Sequence, residues 1–192
     1  MAAIFACGAI AGPRLSATYS AWSKGPVRWL LLPEEARAYA RLGSDLEAEA
    51  FIVQFWRRRD PHPDTPQNPV ADRFSERVAM ADQVYGEGKR RGAMTERGGA
   101  LILLGPPTYL RASARQKPLP ASRDAALRPT VQVLVETWGY PASELPNGVP
   151  EILGRPAEAR IELQFVIEND RSYLASGKEV LAAAARAALV AE

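Results

Sequence analysis

The stretch Gly92-Ala-Met-Thr-Glu-Arg-Gly-Gly-Ala-Leu-Ile-Leu-Leu-Gly-Pro-Pro107 narrows the fold more than any other part of the chain. A glycine-dense turn element, Gly92 to Gly99, runs directly into the apolar run Ala100 to Leu104. Gly105-Pro106-Pro107 then stops it, because proline has no amide hydrogen and pushes the residue before it into extended conformations. An apolar run of this length between turn signals reads as a short buried strand, Leu101 to Leu104. Two more strands are expected further on. Val131 to Tyr140 places Val131, Val133, Val135 and Thr137 on one face. Arg160 to Ile167 places Ile161, Leu163, Phe165 and Ile167 on one face and Arg160, Glu162 and Gln164 on the other. Glu168-Asn169-Asp170 turns the chain after it.

Helices are expected before the strands. Pro33 suits a first helical turn, and Glu34 and Glu35 suit its positive end; this helix ends near Gly43. Ser44 and Glu47 form a capping box, which gives two orphan amides acceptors. Ala48, Phe51, Ile52, Phe55 and Trp56 then follow helical spacing and make one broad apolar face. Arg57, Arg58 and Arg59 close that helix, and Asp60-Pro61 ends it. Asn68 caps the next helix with Pro69 at its first position, and Phe74, Val78, Ala81 and Tyr85 form its apolar stripe. Gly177 precedes an Ala-rich helix carrying Val180, Leu181 and Leu189. Helices first and strands later imply an α+β fold: N-terminal helices on a small antiparallel three-stranded sheet, then a C-terminal helix. The division expected is a tail at residues 1–29, a domain at 30–175 and the last helix at 176–192. Within the tail, Trp22 and Trp29 are candidate surface anchors. Tyr109 to Pro129 and Pro141 to Pro156 read as long loops.

Composition excludes several function classes. The single cysteine rules out an internal disulfide, and the single histidine, His62, rules out a two-histidine metal site. Hydrophobic content of 47% and charged content of 24% describe an ordinary globular domain. A net charge of +2 provides no global field for nucleic acid or anionic lipid. The basic residues Arg111, Arg115, Lys117, Arg123 and Arg128 lack interleaved aromatics, which argues against stacking on single-stranded nucleic acid. No apolar run reaches the ~18 residues of a spanning helix.

The candidate site residues read mostly as structure. Arg57, Arg58 and Arg59 with Asp60 fit a network between the two long helices, with Glu76 or strand-end carbonyls as partners and Asp60 tethering the following loop. Thr95 reads as a turn or cap residue, with Glu96 paired to Arg97 or Arg90. Trp138 and Tyr140 end a strand; Trp138 reads as core and Tyr140 as a lid or anchor. His62 between Asp60 and Asp64 reads as solvated. Gly86-x-Gly88-Lys-Arg-Arg-Gly92 lacks the preceding strand and the Lys-Ser/Thr ending of a phosphate loop. No nucleophile-elbow sequence occurs. No catalytic residue, metal site or cofactor is expected.

The order of these pieces resembles the GWxTD domain family of bacterial proteins. The likeness covers residues 30 to 175 and is carried by Phe55 to Pro61, by Asn68 with Arg73 to Val78, by Gly92 to Pro107, by Glu136 to Tyr140, and by Leu163 to Phe165. Where the family reads Gly-Trp-x-Thr-Asp, this chain reads Gly92-Ala93-Met94-Thr95-Glu96. Separately, Ile4-Phe5-Ala6-Cys7 resembles the end of a bacterial lipoprotein signal, making Cys7 a candidate lipidation site. The family resemblance implies an exported or lipid-anchored protein without assigned catalytic residues. The function expected is therefore a non-catalytic accessory or structural protein of a larger, membrane-associated bacterial assembly. It would hold a protein partner, with membrane association through its N-terminus and no nucleic acid. The alternatives are a periplasmic peptide- or lipid-binding module and, further off, a hydrolase. The location expected is periplasmic or membrane-associated, with the cytoplasm as the alternative.

Overall fold

The computed structural model describes residues 15–118 and 130–189. Helix α1 (Ala17–Trp22) and a 3-10 turn (Pro26–Trp29) lead into α2 (Pro33–Tyr39), α3 (Asp45–Arg57) and α4 (Pro69–Val84). A second 3-10 turn (Gly92–Met94) leads into α5 (Glu96–Leu104), followed by β1 (Tyr109–Pro118) and β2 (Thr130–Pro141). A short helix α6 (Val149–Ile152), β3 (Arg160–Glu168), β4 (Arg171–Ser176) and α7 (Lys178–Ala187) complete the fold. The four strands form one antiparallel meander in the order β1-β2-β3-β4. The class is α+β as expected, but the sheet has four strands instead of three.

The caps behave as the sequence implies. Ser44 accepts from the Glu47 amide, while Glu47 accepts from the amides of Ser44 and Gly43. Asn68 accepts from the amides of Val70 and Ala71. Its own amide group donates to the Trp56 carbonyl, so one side chain starts α4 and anchors it to the end of α3.

The run Leu101 to Leu104 is not a strand. It is the second half of α5, whose residues Gly98 to Leu104 are all buried. Thr95 caps this helix, α4 and α7 flank it, and it meets β4. A helix enclosed on every side has no polar stripe, so its sequence lacks helical periodicity and looks like a buried strand. Gly105, at φ +89°, ends it.

The expected loop from Tyr109 to Pro129 begins as the ten-residue strand β1. The valine stripe of β2 holds as one face, but it is the face turned away from the helices. Trp138 and Tyr140 face the helices, opposite Leu163 and Ile161 of β3. Val133 and Val135 are buried on the other face of the sheet, beside Arg115, Ser113 and Val166. The β3 alternation holds: Ile161, Leu163 and Phe165 are buried, and Arg160 and Glu162 are exposed. Asn169 and Asp170 sit at φ 51° and 58°, a two-residue turn of the kind that joins twisted antiparallel strands, and β4 follows. Among the polar clasps, the buried Glu87 carboxylate accepts from both the amide and the hydroxyl of Ser172 on β4.

Trp22 and Trp29 do not belong to a tail. Trp22 packs 4.8 Å from Tyr39 and 5.2 Å from Phe55, between ring centroids. The indole of Trp29 donates to the Ala93 carbonyl at 2.8 Å. The folded unit thus includes residues from 15 onward and continues through α7, so the expected boundaries at 29 and 175 do not separate independent parts. Cys7, Arg123 and Arg128 lie outside the described residues. No described helix is long and apolar enough to cross a membrane.

Candidate functional site

Most of the sequence-selected residues are spent on internal structure. Arg59 is fully buried, donates to both oxygens of Glu35 at 3.0 and 2.7 Å, and lies 3.7 Å from the Phe55 ring centroid. It also donates to the carbonyls of Leu30 and Phe55. Arg58 adds a contact to Glu35 at 2.8 Å, and the Leu32 amide donates to the same carboxylate. The expected partner Glu76 is exposed and makes no ion pair among the described residues, and Arg58 and Arg59 tie the end of α3 to α2. Burial alone would raise the pKa of Glu35, but the hydrogen bonds from Arg59, Leu32 and Arg58 outweigh it and hold the carboxyl below its ordinary range. Asp60 accepts from the His62 amide and so tethers the loop as expected; His62 is exposed.

The motif stretch forms a crowded joint. The Thr95 hydroxyl accepts from the Gly98 amide at 3.0 Å and donates to the Gly92 carbonyl at 2.8 Å. A Cβ on Gly92 would sit 1.8 Å from the Ala81 carbonyl oxygen, and one on Gly98 would sit 1.9 Å from that of Gly92. At Gly99 the Trp29 ring occupies the same space. Two glycines inside a helix cost about 1 kcal/mol each relative to alanine, which is small against such collisions. Glu96 makes no ion pair among the described residues. Arg97 pairs instead with Glu136 on β2 at 3.2 Å. Trp138 is fully buried between Tyr85 and Phe165, and Tyr140 is buried with its hydroxyl donating to the Gly105 carbonyl. Burial pushes the Tyr140 phenol far up. Both aromatics are core, and neither serves as an exposed anchor.

Two open features remain. The first is a cleft of about 830 Å³ between α4, the end of α5, the α6 region and α7. Its apolar wall includes Phe74, Ile102, Leu103, Leu145 and Leu189, and its charged groups are Arg59, Arg73, Arg77, Arg186, Glu144 and Glu151. Glu144 accepts from the Thr108 hydroxyl, while Arg77 donates to the carbonyls of Ile102 and Leu103, capping α5. Desolvation, with the charge of Arg73 one turn away, lowers the Arg77 pKa. Like charges at this spacing cost about 0.2–0.5 kcal/mol. The ion pairs among the described residues include none of Arg73, Arg77 and Arg186. The residues lining the cleft include no hydroxyl, thiol, imidazole or amine side chain.

The second feature is the β1–β2 arm. Nine of the ten β1 residues are exposed. Arg111, Arg115 and Lys117 share one face, and Arg115 and Lys117 line a hollow of about 540 Å³ with Val133, Val166 and Tyr173. Lys117 reaches Glu168 at 2.6 Å across this face. At the base, the Tyr109 ring crosses directly over Gly139, with the Arg160 guanidinium 4.3 Å from its centroid.

Sequence reasoning missed Glu35 as the partner of the arginines and missed the cleft entirely. The Arg73–Arg77 pair, one helical turn apart on α4, was the readable signal. Fold and concavities together define the class: an α+β domain with a basic-and-apolar cleft and a projecting hairpin. Against protein-family models, curated proteins and solved structures, the chain finds no match.

Proposed function

We propose that this protein is a non-catalytic accessory component of a larger, membrane-associated bacterial assembly, docking a protein partner on its β1–β2 arm. One observation carries the reading: β1 is an outer strand ten residues long, and nearly all of it is exposed. An edge of that length is a liability that folded proteins blunt or cover. A partner strand added to it gains main-chain hydrogen bonds, with side-chain contacts supplying the choice of partner. Arg111, Arg115 and Lys117 oppose pairing of the edge with a second copy of itself and favour an acidic partner surface. The likeness to the GWxTD family and the periplasmic or membrane-associated location belong to the same proposal and rest on the sequence alone.

Support also comes from what the conspicuous polar residues do. Thr95, Arg59, Glu35 and Arg97 all hold the fold together, and the cleft offers only Glu144 and Glu151 for proton transfer. Co-purification of the tagged chain from detergent-solubilised native membranes tests the reading. A stable partner, lost on combining Arg111→Glu with Arg115→Glu, is the expected result. Recovery of the wild-type chain as a free monomer from the soluble fraction would defeat it.

A further inference from the structure

We propose that the cleft between α4, α5, α6 and α7 is a binding site for a single-chain anionic amphiphile, an acyl chain ending in a carboxylate or a phosphate. This goes beyond docking on the arm and does not depend on it. Size comes first: about 830 Å³ falls within the ~300–1,000 Å³ of small-molecule sites. Lining comes second. Phe74, Ile102, Leu103, Leu145, Ile152 and Leu189 supply an apolar trough for a chain.

Charge comes third and decides the head group. With Arg59 paired to Glu35, three arginines, Arg73, Arg77 and Arg186, meet two glutamates, Glu144 and Glu151, in the cleft. Arg73 and Arg77 crowd one another without a carboxylate between them. Arg59, with no exposed surface, borders the same cleft but is held by Glu35 and the carbonyls of Leu30 and Phe55, so the head group falls to Arg73, Arg77 and Arg186. A guanidinium fork matches the planar geometry of a carboxylate and the oxygens of a phosphate alike. A neutral lipid would leave these cations unanswered, and a free inorganic anion would leave the trough unfilled.

Calorimetric titration of the full chain tests this, with oleate and 1-oleoyl-lysophosphatidate each kept below its micelle concentration. Monoolein supplies the same chain without charge; acetate and inorganic phosphate supply the charge without a chain. Trp56 gives an optical readout, since its ring lies 5.4 Å from that of Phe74 in the cleft wall. Saturable one-to-one binding of oleate or lysophosphatidate is expected, and the tighter of the two identifies a carboxylate or a phosphate source. Monoolein should bind about tenfold more weakly or worse, and acetate and phosphate should show no saturation. Combining Arg73→Glu with Arg186→Glu, both at exposed positions, should weaken binding about tenfold while the unfolding midpoint holds. Ile152→Trp at the rim should also weaken it by filling the trough. The arm variants Arg111→Glu and Arg115→Glu should leave it unchanged, which separates this site from partner docking. No saturable binding of either anionic amphiphile, equal binding of monoolein, or indifference to the Arg73 and Arg186 reversals would overturn the proposal.

Discussion

Around Gly92, Gly98 and Gly99 an added methyl group would strike backbone or the Trp29 ring, and the Thr95 hydroxyl both gives and receives a hydrogen bond. Along β1 the reverse holds: nine of its ten residues are exposed, and its outer edge has no neighbouring strand among the described residues. The joint gains its uniqueness from crowding, since interiors packed this densely have few alternative arrangements. The arm keeps only the constraints of its base, where Tyr109 lies over Gly139 and Arg160 stacks on the ring. The contrast teaches that the residues conspicuous in the sequence build the scaffold, while the surfaces free to bind come from residues without a motif.

Four experiments would break or sharpen that contrast. The largest effect belongs to Gly92→Ala. With the Ala81 carbonyl oxygen 1.8 Å from the new Cβ, urea unfolding should show a loss of about 5 kcal/mol or outright failure to fold. A mild loss would mean that the joint is less crowded than described.

Next is Glu35→Ala. It leaves the fully buried Arg59 without its counter-charge and should cost about 3–5 kcal/mol by the same measurement. The pH dependence follows from the depressed pKa of Glu35. Its stabilisation is present above its ordinary value of 4.5 and is lost as pH falls through the lower folded-state value. Glu35→Gln should flatten that acid limb; an unchanged limb would assign it to other carboxylates, such as Asp82, whose hydrogen bond from Arg91 also lowers its pKa.

Thr95→Ala should be milder, about 1–2 kcal/mol, for one helix cap and its buried hydroxyl. The smallest effect on stability is expected at the arm. Arg111→Glu combined with Arg115→Glu should stay within about 0.5 kcal/mol in thermal unfolding, because both side chains are exposed. A large loss there would show that the arm is part of the scaffold after all.

How much of this was legible depended on how each segment meets solvent. Helices α3 and α4 were readable because each is half buried, so apolar spacing and caps both show in the chain. Strand β3 was readable for the same reason at period two. Helix α5 was misread because it is buried all round, and β1 because it is exposed nearly all along; neither alternates. Trp29 gave no local sign of its role, since its partners Ala93 and Gly99 lie more than sixty positions away. The cleft was invisible for a related reason. Its lining runs from Leu30 to Leu189, and no window of sequence contains it.

The clasp between Glu87 and Ser172 spans 85 positions. At a synthesis rate of about 5–20 residues per second, that gap corresponds to roughly 4–17 s. The first half can wind its helices early, yet the turn after α4 cannot be sealed until β4 is in place. Closure of the domain is therefore a late event in folding, held until nearly the whole chain is at hand.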